Sequence, residues 1–185
     1  AARALRRTYE TEVEGPVARG QEAIAKARFA KFGTSIYPDA TFTLRLSFGA
    51  MKSWNEKGQE VRPWTELSGA FERATGESPF RIPDSWMAAK DRIDLSTRAN
   101  FITNNDIVGG NSGSPMLNAS GEIVGLAFDG NIHSISGSYW FDTAKNRAIA
   151  VHPAIMKAAL TQVYDAGWIA RKLPAPAQHE WLEAV

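Results

Sequence analysis

The hydrophobic pattern divides the chain into a helical beginning and a later series of short strands. Between residues 3 and 31, charged residues alternate with alanine and apolar residues recur every four positions, which predicts helix. Gly15-Pro16 is expected to interrupt it, and a second helix is predicted for residues 21–32, with Gly33 as its C-terminal cap. The apolar face is narrow, so we expect this segment to pack on another part of the protein.

Strict alternation marks residues 40–49, whose apolar side chains fall on one face of a predicted half-buried strand. A hairpin is predicted within residues 51–61, and an irregular stretch with short helical turns follows over residues 64–91. Further strands are predicted at residues 115–117, 122–128, 139–141 and 147–151, and a helix at residues 153–164. Short strands divided by turns, with a terminal helix, favour a β-barrel or sandwich over a parallel sheet.

The strongest chemical signal is the run GGNSGSP at residues 109–115. Glycine lets the backbone turn tightly and lets a substrate approach closely. A nucleophilic serine needs such a backbone, because its hydroxyl must be exposed while N–H groups converge on the oxygen of the attacked carbonyl. We therefore hypothesise that Ser112 is a nucleophile and that the amides of Gly110 and Ser112 form its oxyanion hole. The alternative is an ordinary loop, since Gly, Asn and Ser are also the commonest turn residues.

The composition excludes several classes of function. The 21 Lys and Arg residues nearly balance the 20 Asp and Glu residues, so nothing indicates nucleic-acid binding. No apolar run approaches the length of a membrane span. The absence of cysteine excludes disulfides, thiolate metal sites and a cysteine nucleophile. Since no pair of histidines has ligand spacing, we expect neither a metal nor a cofactor, and a peptide or small partner is favoured.

The histidines lie in the wrong part of the chain for a complete catalytic triad. A serine that enters a hairpin directly, with no helix after Pro115, argues against an α/β-hydrolase and for a trypsin-like barrel. In that barrel the base and its acid precede the serine. His133, His152 and His179 all follow Ser112; we interpret His133 and His152 as surface or packing residues, and His179 lies in the tail. The chain is therefore predicted to be the C-terminal half of a two-barrel enzyme.

Several runs taken together resemble the C-terminal part of the S46 peptidases, the bacterial dipeptidyl-peptidase 7 and 11 family. The resemblance implies a mainly β fold: the C-terminal half of a trypsin-like (chymotrypsin-fold) double β-barrel, with an N-terminal helical segment and a C-terminal helix. It also implies that residues 1–32 end a helical domain, residues 33–165 form the barrel and residues 166–185 form a tail. The runs that carry the resemblance are residues 37–46, 100–101, 106–115 and 121–131.

The resemblance implies a serine exopeptidase that releases dipeptides from a free N-terminus through an acyl-enzyme on Ser112. Asp129 matches the aspartate that pairs with the substrate's α-amine. Without the resemblance, we would interpret Asp129 as a turn residue before Gly130. Gly130 matches the position that selects the second side chain, where arginine implies Asp or Glu and glycine implies a hydrophobic residue. Asp106 has the spacing that trypsin uses for basic side chains, but the family carries an Asp-Ile pair here without basic specificity, so we interpret it as structural.

The expected partners are peptides with a free N-terminus, together with an N-terminal barrel and a helical domain that this chain lacks. The resemblance implies a periplasmic or cell-surface location and allows a homodimer of the full-length protein. Without the histidine and aspartate of the triad, the isolated chain is expected to be nearly inactive. The alternative from another class is a non-catalytic half-barrel that serves as a peptide-binding or scaffold module.

Overall fold

The structure is a computed structural model that describes residues 2–36, 44, 46–137 and 139–172. It divides into two compact units, Ala1–Arg45 and Leu46–Val185. His179 and most of the tail predicted at residues 166–185 lie outside the described residues, as does part of the strand predicted at residues 40–49. Within the described residues, no helix combines the length and the apolar character needed to cross a membrane.

Residues 2–35 of the first unit form a continuous run of helical turns. Helix α1 (Ala2–Tyr9) continues through a π-helical turn (Glu10–Glu14) into helix α2 (Gly15–Phe32). The predicted interruption at Gly15-Pro16 is therefore wrong. Proline has no N–H to donate, and the wider π turn before it, closed by a bond from the Gly15 N–H to the Glu10 carbonyl, accommodates this without a break.

Helix α2 ends as predicted. Gly33 has a positive φ of 58°, and its N–H donates to the carbonyl of Phe29, which confirms it as the cap. No described side chain of these helices is buried. The exposed apolar side chains include Leu5, Tyr9, Val13, Val17 and Ile24.

The second unit begins its regular structure with the predicted hairpin. Strand β1 (Trp54–Glu56) pairs with strand β2 (Gln59–Val61). The loop residues Lys57 and Gly58 both have positive φ, as the commonest type of two-residue hairpin turn requires. The side chain of Asn55 closes the loop by accepting a hydrogen bond of 2.8 Å from the Gly58 N–H.

A five-stranded antiparallel sheet forms the centre of the second unit. Its strand order is β3-β4-β7-β6-β5, so the hairpin β5–β6 is joined through β6 to the later strand β7. The predictions of β5, β6 and β7 are confirmed, whereas β3 and β4 were not predicted as strands. The five strands are β3 (Trp64–Glu66), β4 (Arg98–Thr103), β5 (Pro115–Leu117), β6 (Ile123–Gly130) and β7 (Ala148–Val151).

In the described part of this unit, short α-helices and two buried clusters accompany the sheet. The predicted helix over residues 153–164 is confirmed as an α-helix that passes into a π turn at Ala159–Val163. One cluster has Leu67, Ala89 and Ile93 at its centre and includes side chains of the helices. The other joins Phe101, Val124 and Ala150 of three sheet strands. The helices are α3 (Ser68–Glu72), α4 (Asp84–Ala89), α5 (Pro153–Ala158) and α6 (Gly167–Ala170).

Two predicted strands do not appear among the residues that the structure describes. Residues 46–49 form no strand, and Leu46 and Phe48 are 84% and 87% exposed, because alternation produces a half-buried strand only where a neighbour covers the apolar face. Residues 139–141 form no strand either, and the N–H groups of Tyr139 and Trp140 both donate to the Ser136 carbonyl. The mainly β expectation holds only in part, because helical segments contain more of the described residues than strands do.

Candidate active site

The loop between β4 and β5, which carries the candidate nucleophile, consists of two consecutive turns. The N–H of Asn111 donates to the carbonyl of Val108 at 3.2 Å, and the N–H of Ser114 donates to the carbonyl of Asn111 at 2.9 Å. The third residue of each turn is a glycine with positive φ, 102° at Gly110 and 86° at Gly113. A type II turn requires such a backbone, which explains why these two positions are glycines.

The loop holds Ser112 against the end of strand β6. Ser112 is exposed, and its Oγ donates a hydrogen bond of 3.2 Å to the carbonyl of Phe128. The next residue, Gly113, donates from its N–H to the carbonyl of Ala127 at 2.7 Å, and the Ala127 N–H donates back to the Ser114 carbonyl at 2.9 Å. The main chain around Ser112 is thus held against β6 by hydrogen bonds of the two residues that follow it.

The amides of Gly110 and Ser112 point to no acceptor within the described part of the chain. Neither N–H takes part in the hydrogen bonds that close the two turns. Because both N–H groups lack an acceptor among the described residues, both remain available to a ligand. The arrangement can therefore support acyl transfer at Ser112.

Asp129 and Gly130 immediately follow the residue whose carbonyl accepts the Ser112 hydroxyl. Asp129 is exposed, and its Oδ1 accepts a hydrogen bond of 2.8 Å from the Gly130 N–H. Its Oδ2 has no hydrogen-bond partner among the residues described. Of the residues singled out from the sequence, the pairing of the serine loop with β6 therefore brings Ser112 to the residue that immediately precedes Asp129 and Gly130.

In the direction that a side chain at position 130 would take, Gly130 faces a 3-10 helix, Ile132–Ser136. A Cβ atom placed on Gly130 would lie 2.7 Å from the Cβ of Ser134 and 2.9 Å from its Oγ. Both distances are far below van der Waals contact. Glycine at position 130 is therefore required by packing within this chain.

A buried arginine supports this end of the sheet, and the sequence analysis did not predict it. Arg147 is 2% exposed. Its main chain is bonded to Asn131, whose N–H donates to the Arg147 carbonyl at 2.9 Å and whose Oδ1 accepts from the Arg147 N–H at 3.1 Å. The guanidinium donates five hydrogen bonds of 2.7 to 3.3 Å to the carbonyls of Lys52, Ser53, Thr143, Ala144 and Asn146.

A histidine–glutamate contact links the same 3-10 helix to the hairpin. The Nε2 of His133 lies 2.6 Å from the Oε2 of Glu56, which also accepts a hydrogen bond of 3.2 Å from the indole N–H of Trp54. The hydrogen bond with His133, followed by that from Trp54, lowers the pKa of Glu56 below its ordinary value. The ring of His133 is thus paired with the carboxylate of Glu56.

His152 is buried, and its Nδ1 accepts a hydrogen bond from the Ala154 N–H as the N-cap of α5.

The contact between Glu56 and His133 predicts a difference in acid stability. A carboxylate whose pKa is lowered by folding stabilises the protein above its unfolded pKa, and this stabilisation is lost as the pH falls through the folded pKa. We therefore expect the melting temperature of wild type to fall more steeply than that of Glu56→Gln between about pH 5.5 and about pH 3.5. Glu66→Gln, which changes an exposed glutamate on β3, is the matched control. Parallel curves for wild type and Glu56→Gln would contradict the prediction.

Asp106 lies before the serine loop, where its main chain supports a neighbouring segment. Its carbonyl accepts a hydrogen bond of 2.8 Å from the Ser47 hydroxyl, and Asn105 Nδ2 donates to the Ser47 carbonyl at 2.8 Å. Burial raises the pKa of the Asp106 carboxyl. Its Oδ1 is buried and has no hydrogen-bond partner in the part of the chain that the structure describes. The main-chain contacts are in keeping with a structural role.

Comparison with known proteins places these features in a family. The family model described as Peptidase S46 matches residues 1–175. The chain belongs to the S46 peptidase family. Similar curated S46 relatives include a dipeptidyl-peptidase 7 from Phocaeicola vulgatus, 42% identical over 62% of this chain. An Asp/Glu-specific dipeptidyl-peptidase from Shewanella putrefaciens is 29% identical over 63% of it.

The chain corresponds to a small part of these relatives. It spans 17% of the length of the P. vulgatus protein and 20% of the S. putrefaciens protein. Among solved structures, Porphyromonas endodontalis DPP11 in complex with the dipeptide Arg-Asp matches 84% of this chain and 24% of its own, with a TM-score of 0.74 and 23% identity. This last similarity is one of fold.

Proposed function

We propose that this chain is the serine-bearing part of a dipeptidyl aminopeptidase. The observation that carries the proposal is the hydrogen bond from the exposed Ser112 Oγ to the carbonyl of Phe128, the residue immediately before Asp129. A nucleophile and an ammonium anchor on adjacent backbone are what a dipeptide-releasing enzyme needs. The names of the S46 relatives, dipeptidyl-peptidase 7 and Asp/Glu-specific dipeptidyl-peptidase, support the same reaction.

In this reaction the Ser112 oxygen attacks the carbonyl carbon of the substrate's second residue. The hydroxyl proton passes to a base that the remainder of the full-length protein supplies, and the amides of Gly110 and Ser112 hold the oxyanion. The departing amine takes that proton as the peptide bond breaks, leaving the dipeptide esterified to Ser112. Water then hydrolyses the ester and frees the dipeptide. Ser112 must leave the Phe128 carbonyl, which a rotation about χ1 permits because that side chain is exposed.

Asp129 is proposed to bind the free α-amine of the substrate. Its Oδ1 is occupied by the Gly130 N–H, which fixes the carboxylate, while its Oδ2 is open to a ligand. A charge-assisted bond to an ammonium group would fix the N-terminus at a set distance from Ser112. That distance would determine that two residues are removed.

Gly130 is proposed to border the pocket for a hydrophobic second side chain, because it adds neither bulk nor charge to that pocket. This function belongs to a longer protein, for which we propose a trypsin-like double β-barrel in the periplasm or at the cell surface. The N-terminal barrel and a helical domain would complete the site. A homodimer of that protein is compatible with the proposal.

Replacing Asp129 by asparagine tests the amine anchor. Asparagine keeps an oxygen that can accept from the Gly130 N–H, so the local backbone should persist while the negative charge is lost. We expect kcat/KM for a fluorogenic dipeptide with a free N-terminus to fall about 10- to 100-fold in the full-length gene product. Asp94→Asn, at another aspartate that accepts from a nearby main-chain N–H, is the matched control.

The blocked form of the same substrate completes the test. An N-acetylated dipeptide has no ammonium group, so wild type and Asp129→Asn should cleave it equally slowly. An unchanged rate of Asp129→Asn with the free dipeptide would refute the anchor. Failure of wild type to cleave any dipeptide substrate would instead favour the alternative of a peptide-binding half-barrel.

A further inference from the structure

The space next to Gly130 is occupied by one side chain of this chain. Ser134 places its Cβ and Oγ at 2.7 and 2.9 Å from where a Cβ on residue 130 would lie. The next nearest atom, the Arg147 carbonyl oxygen, is at 3.7 Å, an ordinary contact. We infer that Ser134 is a second specificity-determining residue, because the size of residue 134 decides whether position 130 can carry a side chain.

Ser134 cannot clear this space by changing its rotamer. Rotation about χ1 moves Oγ but leaves Cβ in place, and Cβ makes the closer contact. Its Oγ lies 3.2 Å from Asn131 Oδ1 and 3.4 Å from the Arg147 carbonyl. Its main chain is also bonded at both ends, from the Ser134 N–H to the Asn131 carbonyl and from the Gly137 N–H to the Ser134 carbonyl.

The 3-10 helix that carries Ser134 is also restrained on its other side. His133 contacts Glu56 of the hairpin at 2.6 Å, and Asn131 Nδ2 donates to the Lys145 carbonyl at 2.7 Å. Asn131 is buried, with 8% of its surface exposed. A side chain at position 130 would therefore have to displace a helix that is tied to two other segments.

The inference rests on the proposed function in one respect: position 130 must face the substrate's second side chain. If it does, a change to acidic preference by Gly130→Arg requires a smaller residue at position 134. Glycine at position 134 is small enough, since Ser134→Gly removes the Cβ that makes the closest contact. Ser134→Ala does not, because Cβ remains.

A double-mutant cycle on thermal stability tests the steric part without any need for activity. In the full-length gene product, Gly130→Ala should lower the melting temperature by about 3 °C or more, because overpacking forces the helix to move. Combined with Ser134→Gly, most of that decrease should disappear relative to Ser134→Gly alone. Combining Gly130→Ala with Ser134→Ala should recover less of the lost melting temperature than the combination with Ser134→Gly does. Ser136→Gly, the same substitution two residues further along the helix, should recover none of the melting temperature lost in Gly130→Ala.

The specificity part is tested with fluorogenic dipeptides whose second residue is either acidic or hydrophobic. We expect the double variant Gly130→Arg/Ser134→Gly to exceed Gly130→Arg about 10-fold or more in the ratio of kcat/KM for acidic over hydrophobic substrates. The combination Gly130→Arg/Ser136→Gly should match Gly130→Arg.

The possible results separate this inference from the function on which it rests. Additive melting-temperature changes in Gly130→Ala and Ser134→Gly would overturn the steric inference. Coupled changes together with equal substrate ratios in an active enzyme would overturn the specificity role of Ser134. Coupled changes in a protein whose wild type cleaves no dipeptide would support the steric inference and refute the proposed function.

Discussion

Ser112→Ala is expected to lower kcat/KM for dipeptide release by at least about 10⁴-fold in the full-length gene product. Alanine removes the only oxygen that can form the acyl-enzyme, while the turn backbone depends on Gly110 and Gly113 and should not change. The hydroxyl makes one described bond, at 3.2 Å to an exposed carbonyl, so the fold should lose little stability. Loss of activity with an unchanged melting temperature is therefore the expected result.

Ser114→Ala is the matched control for this prediction. Ser114 lies in the same loop and contributes its main chain to two of the loop's bonds, with Asn111 and Ala127, whereas its side chain makes no described hydrogen bond. We expect its rate to remain close to that of wild type. A fluorophosphonate probe gives an independent readout, since it should label wild type and Ser114→Ala but not Ser112→Ala. Dipeptide cleavage that survives Ser112→Ala would refute Ser112 as the nucleophile.

The turns and cap could be predicted from sequence because each depends on a few adjacent residues. Asn55 to Gly58 specifies a two-residue hairpin loop, and Gly33 ends a helix through its own backbone freedom. The same holds for the β5–β6 hairpin, whose turn is closed by the Asn118 side chain accepting from the N–H groups of Ser120 and Glu122. Such features need no information from distant parts of the chain.

The interior strand β4 is not apparent in the hydrophobic pattern of the sequence. Residues 98–103, RANFIT, have no clean alternation, because β4 lies between β3 and β7 and buries side chains on both faces. Residues 40–49 give the opposite error, since perfect alternation there does not produce a strand among the described residues. Alternation of apolar and polar residues indicates only that the two faces of a strand differ. Distant segments of the chain decide whether each face is covered.

The sequence indicated the candidate site residues themselves but not the side chains that pack against them. The serine motif and the Asp129-Gly130 pair could be recognised as short runs, and the pairing of Gly113 with Ala127 brings them together. No run of the sequence indicates that Ser134 fills the space beside Gly130, or that Arg147 is buried. The one signal for Arg147 is a charged residue at the start of an apolar strand, and a charged residue there is usually exposed.

Replacing Arg147 by methionine is expected to lower the free energy of unfolding by about 3 kcal/mol or more. Methionine preserves much of the side-chain volume but donates no hydrogen bond, so five carbonyl groups on two segments lose their partner. Arg147→Lys should fall between methionine and wild type, because an ammonium group has three N–H groups and cannot reproduce the planar fork. Arg62→Met, at an exposed arginine, should change the free energy by no more than about 0.5 kcal/mol.

Arg147 should also affect the proposed substrate-binding residues Asp129 and Gly130, because its carbonyl accepts from the Asn131 N–H and lies 3.7 Å from where a Cβ on Gly130 would be. The Asn131 N–H and the Ser134 hydroxyl both donate to its carbonyl, at 2.9 and 3.4 Å. If the guanidinium fixes this backbone, Arg147→Lys should raise KM for dipeptides more than it lowers kcat, measured below the variant's melting temperature. A variant that melts early yet keeps wild-type KM would show that Arg147 stabilises the fold without positioning Asp129 and Gly130.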